Sequence, residues 1–519
     1  MQKKVLELTF LCFPYILLIL LSSIFEPWFI FLEKKLFISL CIIFLILQVF
    51  LYFAKFWNQW LENISFVVCS TFLILTILVF PVRNLNLGDG IILLESMYLE
   101  SQVYGYQLIL DEILEGLIHS TLTSWLATED PRLAFRILSS LSGIVLIFYL
   151  LKKYFLKPNG LLSFLVITSS GGFLLFYGYV ENYSLVTLFL FGFSFFILDK
   201  LQRSQKISTY LLGLLSSIGA LLHLVFGYMI FALVYLNFIW SQKRNFWKNA
   251  IVSSFIAGLV LLVVYGYFLF FSQLRLDLSL GHITNPKFYP IKRWISTQHF
   301  KEIFYCLTFS SLPSLVILGY IYFFDKLTWK KQSLTREFQF LRWSIFGFFL
   351  HAFFFNPQLG FPRDWDLMSF YWIPLSLLTA NLLQHTQFPP NKILPILCFS
   401  LVLLILNAKA LNVIDPRQEK ELSTVIQKIQ NFSKEYKTKI HQIPAKERKF
   451  HLKTEFFFYR TLKDLEEKKA PEDLVQTGES LLAELNERQG NFSKAWKKDY
   501  LSRATKYHEE YLKFKESQP

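Results

Sequence analysis

Charge is scarce in this sequence, and cysteine and methionine are scarcer. Asp, Glu, Lys and Arg make up 17% of the 519 residues against 54% hydrophobic, and mean hydropathy is +0.40, a balance that belongs in lipid rather than water. The five cysteines (Cys12, Cys41, Cys69, Cys306 and Cys398) lie in or beside apolar segments without metal-ligand spacing. They read as small buried apolar groups, not as a disulfide framework. Period-2 alternation is missing as well: from Leu36 to Phe53 almost every residue is apolar regardless of parity, which excludes a membrane β-barrel. No outer loop carries a nucleotide-binding motif. Lys3 and Lys4 precede an apolar run from Leu8 to Leu21, but no A-x-A-like site follows, so this segment is expected to be an uncleaved first helix.

What is present is apolar residues in blocks long enough to cross a bilayer core of about 30 Å at 1.5 Å per residue. The blocks lie near 8–24, 36–53, 65–81, 134–151, 161–177, 184–198, 208–223, 226–240, 250–271, 303–324, 340–355, 368–384 and 393–408, giving an all-α polytopic bundle of about 13 spans. The run from Ser208 to Trp240 is too long for one span and is read as a tight helical hairpin turning near His223. The formal charge of +14 collects in short loops beside the blocks, which reports orientation rather than a nucleic-acid partner. With the amino terminus in the cytoplasm, the densest basic loops (Lys152–Lys157, Lys200–Lys206, Lys243–Lys248, Lys326–Arg336) fall inside. The connections 83–132, 178–183, 272–302 and 356–366 and the His223 turn then face outside. The organisation expected is two helices over 1–64, a transmembrane domain over 65–408, and a charged, soluble helical domain over 409–519.

Those outer turns hold the candidate chemistry. Asp89 sits between Gly88 and Gly90 just past a span, where the backbone can approach a ligand and the carboxylate is uncrowded, as a general base needs. The acids of the run Asp111 to Leu126 are expected on the wet face of an interfacial helix. Glu181, flanked by Tyr177, Tyr179 and Tyr183 and followed by Asn182, is too close to the bilayer to be idle; it suits sugar hydroxyls, with a tyrosine ring stacking on the sugar face. His223 is a candidate phosphate contact. In the turn from Asn356 to Asp366, Arg363 offers a planar fork for phosphate, and Asp364 and Asp366 could orient it or bind a divalent cation. Arg275, Lys287, Lys292 and Arg293 place positive charge on an outer loop, where it would steer anionic lipid phosphates.

A carboxylate after an early span, a second acid on the next outer loop, and cationic groups on later ones resemble the GT-C superfamily of membrane glycosyltransferases, over about residues 65 to 408. The Gly-Tyr-Val-Glu-Asn-Tyr and Pro-Arg-Asp-Trp-Asp strings look like a bacterial branch of it. The resemblance implies a GT-C fold with interfacial helices in the first large outer loop. It also implies a polyprenyl-phosphate-linked sugar donor, a glycan, lipid or protein acceptor, membrane lipids as surroundings, and a site on the periplasmic face of the inner membrane. By resemblance Asp89 is the base and Glu181 the second-loop acid, with Glu95 or Asp111 as substitutes for the base, because the chain has two spans before the usual first and no second acid beside Asp89. A cation, Arg363 or His223, would meet the charge developing on the phosphate, and direct displacement would invert the anomeric centre. The alternatives are a polysaccharide polymerase or ligase and a non-enzymatic lipid or solute transporter.

Overall fold

In a computed structural model the residues described are 2–24, 33–53, 59–84, 90, 108–109, 113–126, 132–241, 245–270, 276–277, 288–356, 364–386, 390–412 and most of 450–516. The chain divides into two compact units, one within 1–422 and one holding 423–519.

The first unit is helical. Helices α1 (Gln2–Ile24), α2 (Lys34–Phe53) and α3 (Gln59–Val79) come first, then α4 (Ile113–Leu126) and α5 (Arg132–Tyr154). The next apolar block is not one helix: α6 (Gly160–Thr168) stops, and a 3-10 stretch over Gly171–Phe176 continues it. Ser170 adopts an extended conformation between them. Helix α7 (Ser184–Gln202) and α8 (Thr209–Leu222) follow, then a 3-10 stretch Leu224–Met229 and α9 (Ile230–Trp240). Helices α10 (Phe246–Phe270), α11 (Ile291–Trp294), α12 (Thr297–Phe324), α13 (Lys326–Gln332) and α14 (Arg336–Phe354) lead to the short α15 (Trp365–Met368), α16 (Trp372–Leu383) and α17 (Leu394–Leu411).

Seven of these helices are long and apolar enough to cross a membrane: those within 34–53, 62–79, 132–154, 184–202, 246–267, 297–324 and 394–411. Helix α10 makes the solvent explicit, because only 6% of its most apolar window is buried against the rest of the chain. Phe255, Leu262 and Val263 all point outward with more than half their surface free, an arrangement costly in water and neutral in hydrocarbon. The chain is a multi-pass helical membrane protein.

Contacts at the two ends of the bundle differ in kind. At one end basic loops are tied down: Lys153 bonds Asp199 at 2.8 Å, Glu62 accepts from the Leu161 amide at the start of α6, and Asn159 donates to the carbonyls of Leu383 and Thr386. At the other end polar turns are stitched together. Val82 N–H donates to the Tyr177 carbonyl, and Arg83 and Asn84 donate to that of Leu411. A two-residue parallel pairing joins β1 (Leu108–Ile109) to β2 (Leu276–Asp277), linking the two long connections 83–132 and 272–302. Phe288 bridges to Phe355 just past the end of α14.

The hairpin reading of 208–240 holds in a modified form. Gly213 of α8 abuts Ser253 of α10, and Asn237 of α9 bonds that same Ser253. The chain therefore returns to its starting level, but the reversal runs through the 3-10 stretch after His223, and α10 packs on both arms.

In the second unit, α18 (Glu472–Glu487) and α19 (Lys494–Glu516) pack around Phe458, Leu465, Leu481, Leu485, Tyr500 and Tyr507. Phe492, Trp496 and Tyr500 stack in a row, with ring centroids 4.7 and 4.6 Å apart.

Candidate functional site

The turn 177–183 is built by local necessity. Gly178 has φ +68°, a conformation L side chains rarely adopt, and a Cβ there would crowd Pro81 at 3.1 Å. Ser139 Oγ donates to the Leu175 carbonyl at 2.7 Å and accepts from the Tyr179 amide at 3.1 Å, while the Tyr177 hydroxyl pairs with Thr76 Oγ1 at 3.0 Å. The result is a rigid plug rather than an aromatic belt: Tyr177, Tyr179, Glu181, Asn182 and Tyr183 are all buried within the protein. Replacing Gly178 by Ala is expected to cost about 1–2 kcal/mol from the positive φ alone, read as a lower melting temperature of the purified chain in detergent.

Two other elements arrive beside this turn. The first is the segment around α15. Trp365 lies 6.2 Å from the Tyr179 ring and 5.0 Å, edge-on, from Phe309 of α12. The Cys306 thiol donates to the Trp365 carbonyl at 3.7 Å. Asp366 is 1% exposed, and its Oδ1 accepts the Leu367 amide at 2.8 Å. Burial, then the negative charges of Asp366 and Glu181, push the Tyr179 phenol well above its ordinary range. It therefore stays a neutral donor.

The second is His223. Its backbone is extended where α8 ends, and its Nδ1 accepts the Val225 amide at 3.0 Å. That bond fixes the neutral tautomer with the proton on Nε2, making the ring a hydrogen-bond donor through that nitrogen. The Tyr183 ring stands 5.2 Å away, so His223 and Glu181 belong to one neighbourhood. A residue not singled out in the sequence joins them: His351 of α14 interacts electrostatically with His223 and lies 4.4 Å from the Tyr228 ring and 4.9 Å from that of Phe355. Its signal was a histidine four residues before Phe355 in an otherwise apolar helix end.

Asp364 is felt by Tyr289, whose phenol is pushed up to about 12 by burial first and then by Glu302, with Asp364 adding to it. The expected steering role of Arg293 needs correction, since its Nη2 grips both oxygens of Glu302 at 2.8 and 3.1 Å and its guanidinium covers the Tyr289 ring. A paired guanidinium has little field left for a distant phosphate. His299 Nε2 meets the Phe353 carbonyl at 2.8 Å, closing this strap onto α14.

The second correction concerns the helix after the first outer loop. Glu115 was expected on its wet face but is fully buried, as is His119 one turn on. Glu115 Oε1 accepts the Leu185 amide in the first turn of α7. The partner lies 70 residues away, so no periodicity within α4 could have announced it.

Asp89 and Arg363, together with Glu95, Asp111, Arg275 and Lys287, lie outside the described residues. Of the site residues inferred from sequence, the structure brings Tyr179, Glu181, Asn182, His223, Asp364 and Asp366 to the same end of the bundle. Among the described residues no group of three or more His, Cys, Asp or Glu is placed to hold a metal ion, and the expected divalent site at Asp364 and Asp366 has no third such ligand there.

No protein-family model, curated protein or solved structure matches this chain.

Proposed function

We propose that this protein is a membrane glycosyltransferase of GT-C type, moving a sugar from a polyprenyl-phosphate donor to an acceptor on the non-cytoplasmic face of a bacterial inner membrane. The observation that carries it is the gathering of buried acids, a phenol and the imidazoles of His223 and His351 at the bundle end opposite the basic loops. The apolar blocks of the sequence are read as about thirteen passes, with the block 161–177 counted as one; seven of the described helices are long and apolar enough to cross by themselves. The positive-inside tendency then assigns the basic end to the cytoplasm and the polar turns to the outside. Buried ionisable groups at a bilayer face are expensive to keep and mark sites of chemistry or passage.

In this reading Asp89 removes the acceptor proton, and Glu181 with Asn182 and Tyr179 orients sugar hydroxyls. The Nε2–H of His223 and the Arg363 guanidinium stabilise the charge developing on the departing phosphate. Asp364 and Asp366 orient Arg363 in this reading. The sugar inverts because one displacement occurs. The His223–His351 pair also favours a second reading, a polysaccharide ligase or polymerase, in which the lipid phosphate is handled by histidine and arginine and Asp89 is dispensable.

Asp89→Asn separates the two in a cell-based assay of surface glycan or lipid modification. Loss of modification with normal membrane abundance is the expected result. Full activity sinks the base assignment and favours the ligase. Glu181→Gln is expected to depress modification strongly in either case, since both readings place substrate against that turn.

A further inference from the structure

Among the described residues a set of buried polar side chains without hydrogen-bond partners lies where α4 meets the start of α7. Ser184 Oγ and Thr187 Oγ1, three residues apart in the first turn of the 19-residue helix α7, are 2% and 0% exposed. Neither makes a hydrogen bond among the described residues. Both ring nitrogens of His119 are in the same condition, with the ring 4.0 Å from that of Phe135. Burial alone pushes this imidazole down to about 3, so it is neutral and offers one donor and one acceptor. Glu115, four residues earlier and so on the same face of α4, reaches the same turn through the Leu185 amide.

A fold that needed only packing here would be better served by alanine, valine and phenylalanine, because each orphaned polar group loses its water without recompense. The groups also match one another: two hydroxyls that donate and accept, a ring that does both, and a carboxylate that accepts. That is the complement of vicinal sugar hydroxyls, each of which also donates and accepts. A carboxylate in the set disfavours a uronic acid or a sugar phosphate. The turn before Ser184 carries Glu181, which places this set beside the site already described.

We infer that the first turn of α7, with Glu115 and His119 of α4, is a subsite that holds the hydroxyls of an uncharged sugar ring. The inference rests on the glycosyl-transfer reading for its ligand class and on the orphaned side chains for its location. Ser184, Thr187 and His119 touch the ring, and Glu115 both accepts from it and fixes the helix end.

The test uses the full chain in nanodiscs and reads two quantities. The melting temperatures of Ser184→Ala, Thr187→Val and His119→Phe are expected to equal or exceed that of the unaltered protein, since each change removes an unsatisfied group. A fall of several degrees in all three would mean that buried waters serve these groups structurally, and would overturn the subsite. Titration with neutral methyl hexosides is expected to raise the melting temperature, with apparent affinity about tenfold weaker in Thr187→Val and His119→Phe, and with methyl uronosides ineffective. No shift with any neutral glycoside, or an equal shift in the variants, would also overturn it. Asp89→Asn should keep the glycoside shift, so a failed transfer reaction and a failed subsite give different results.

Discussion

Lys392→Met is expected to lower the stability of the bundle by about 2–4 kcal/mol, because it strands a buried carboxylate. Glu7 of α1 is 6% exposed, and its Oε2 is bonded by Lys392 Nζ at 2.6 Å, the Tyr52 hydroxyl at 2.9 Å and the Tyr320 hydroxyl at 3.4 Å. Lys392 is held in turn: its carbonyl accepts from Gln48 at 2.8 Å and its ammonium lies over the Tyr52 ring. Asn391 adds a bond to the Leu51 carbonyl. Four segments, α1, α2, α12 and the turn before α17, meet on this one charge pair. The lower part of the range is set by Lys392, whose side chain keeps 20% of its surface and so some solvation. Glu7→Gln should cost less, since an amide oxygen still accepts from Tyr52. The paired change Glu7→Leu with Lys392→Met should recover most of the loss, as replacement of a whole buried pair by apolar groups often does. Thermal unfolding in detergent of the unaltered protein, Glu7→Leu, Lys392→Met and the double variant closes the cycle. An additive double variant would show that the pair is not coupled and that the N-terminal helices are held by apolar packing alone.

This clasp also shows what kind of information the sequence carries. The apolar blocks at 36–53, 184–198 and 393–408 foretell α2, α7 and α17 to within a few residues, because span length is imposed by hydrocarbon and needs no knowledge of neighbours. Helix ends that extend past the apolar block, such as the start of α12 at Thr297, are set by capping: Ser296 accepts the His299 amide. The break inside 161–177 was legible in principle, since Thr168-Ser169-Ser170-Gly171-Gly172 is a run of poor helix formers whose hydroxyls compete for the backbone. Ser170 Oγ does bond back to the Val166 carbonyl. What periodicity could not reveal is which distant turns meet. Glu181 and His223 stood out because an ionisable residue between apolar blocks is conspicuous. Glu115 and His351 did not, because one sits on a helix of mixed composition and the other looks like the tail of an ordinary span. Their significance lies in partners drawn from α7 and from the 3-10 stretch after His223, and such contacts are tertiary.

Gly347→Val is expected to shift His351 relative to His223 and to be strongly damaging. Gly347 sits one turn before His351 in α14, and a Cβ there would collide with the Tyr228 carbonyl and press on Phe231. The obstacle is backbone, so no side-chain rotation relieves it, and α14 must move away from the 3-10 stretch Leu224–Met229. Overpacking of this kind costs about 1–3 kcal/mol, sometimes more, and the branched side chain adds to it. Because Tyr228 is also the ring against His351, the displacement opens the site from the side of the proposed phosphate contact rather than from the sugar side. The variant should therefore lose glycan modification even where enough folded protein reaches the membrane, while it keeps the glycoside affinity of the unaltered protein and Thr187→Val still weakens that affinity in its background. Gly347→Ala makes the test graded: a partial loss of melting temperature with a larger loss of activity is the expected pattern. Activity falling only in step with abundance would mean that the two imidazoles need not be held together for the reaction.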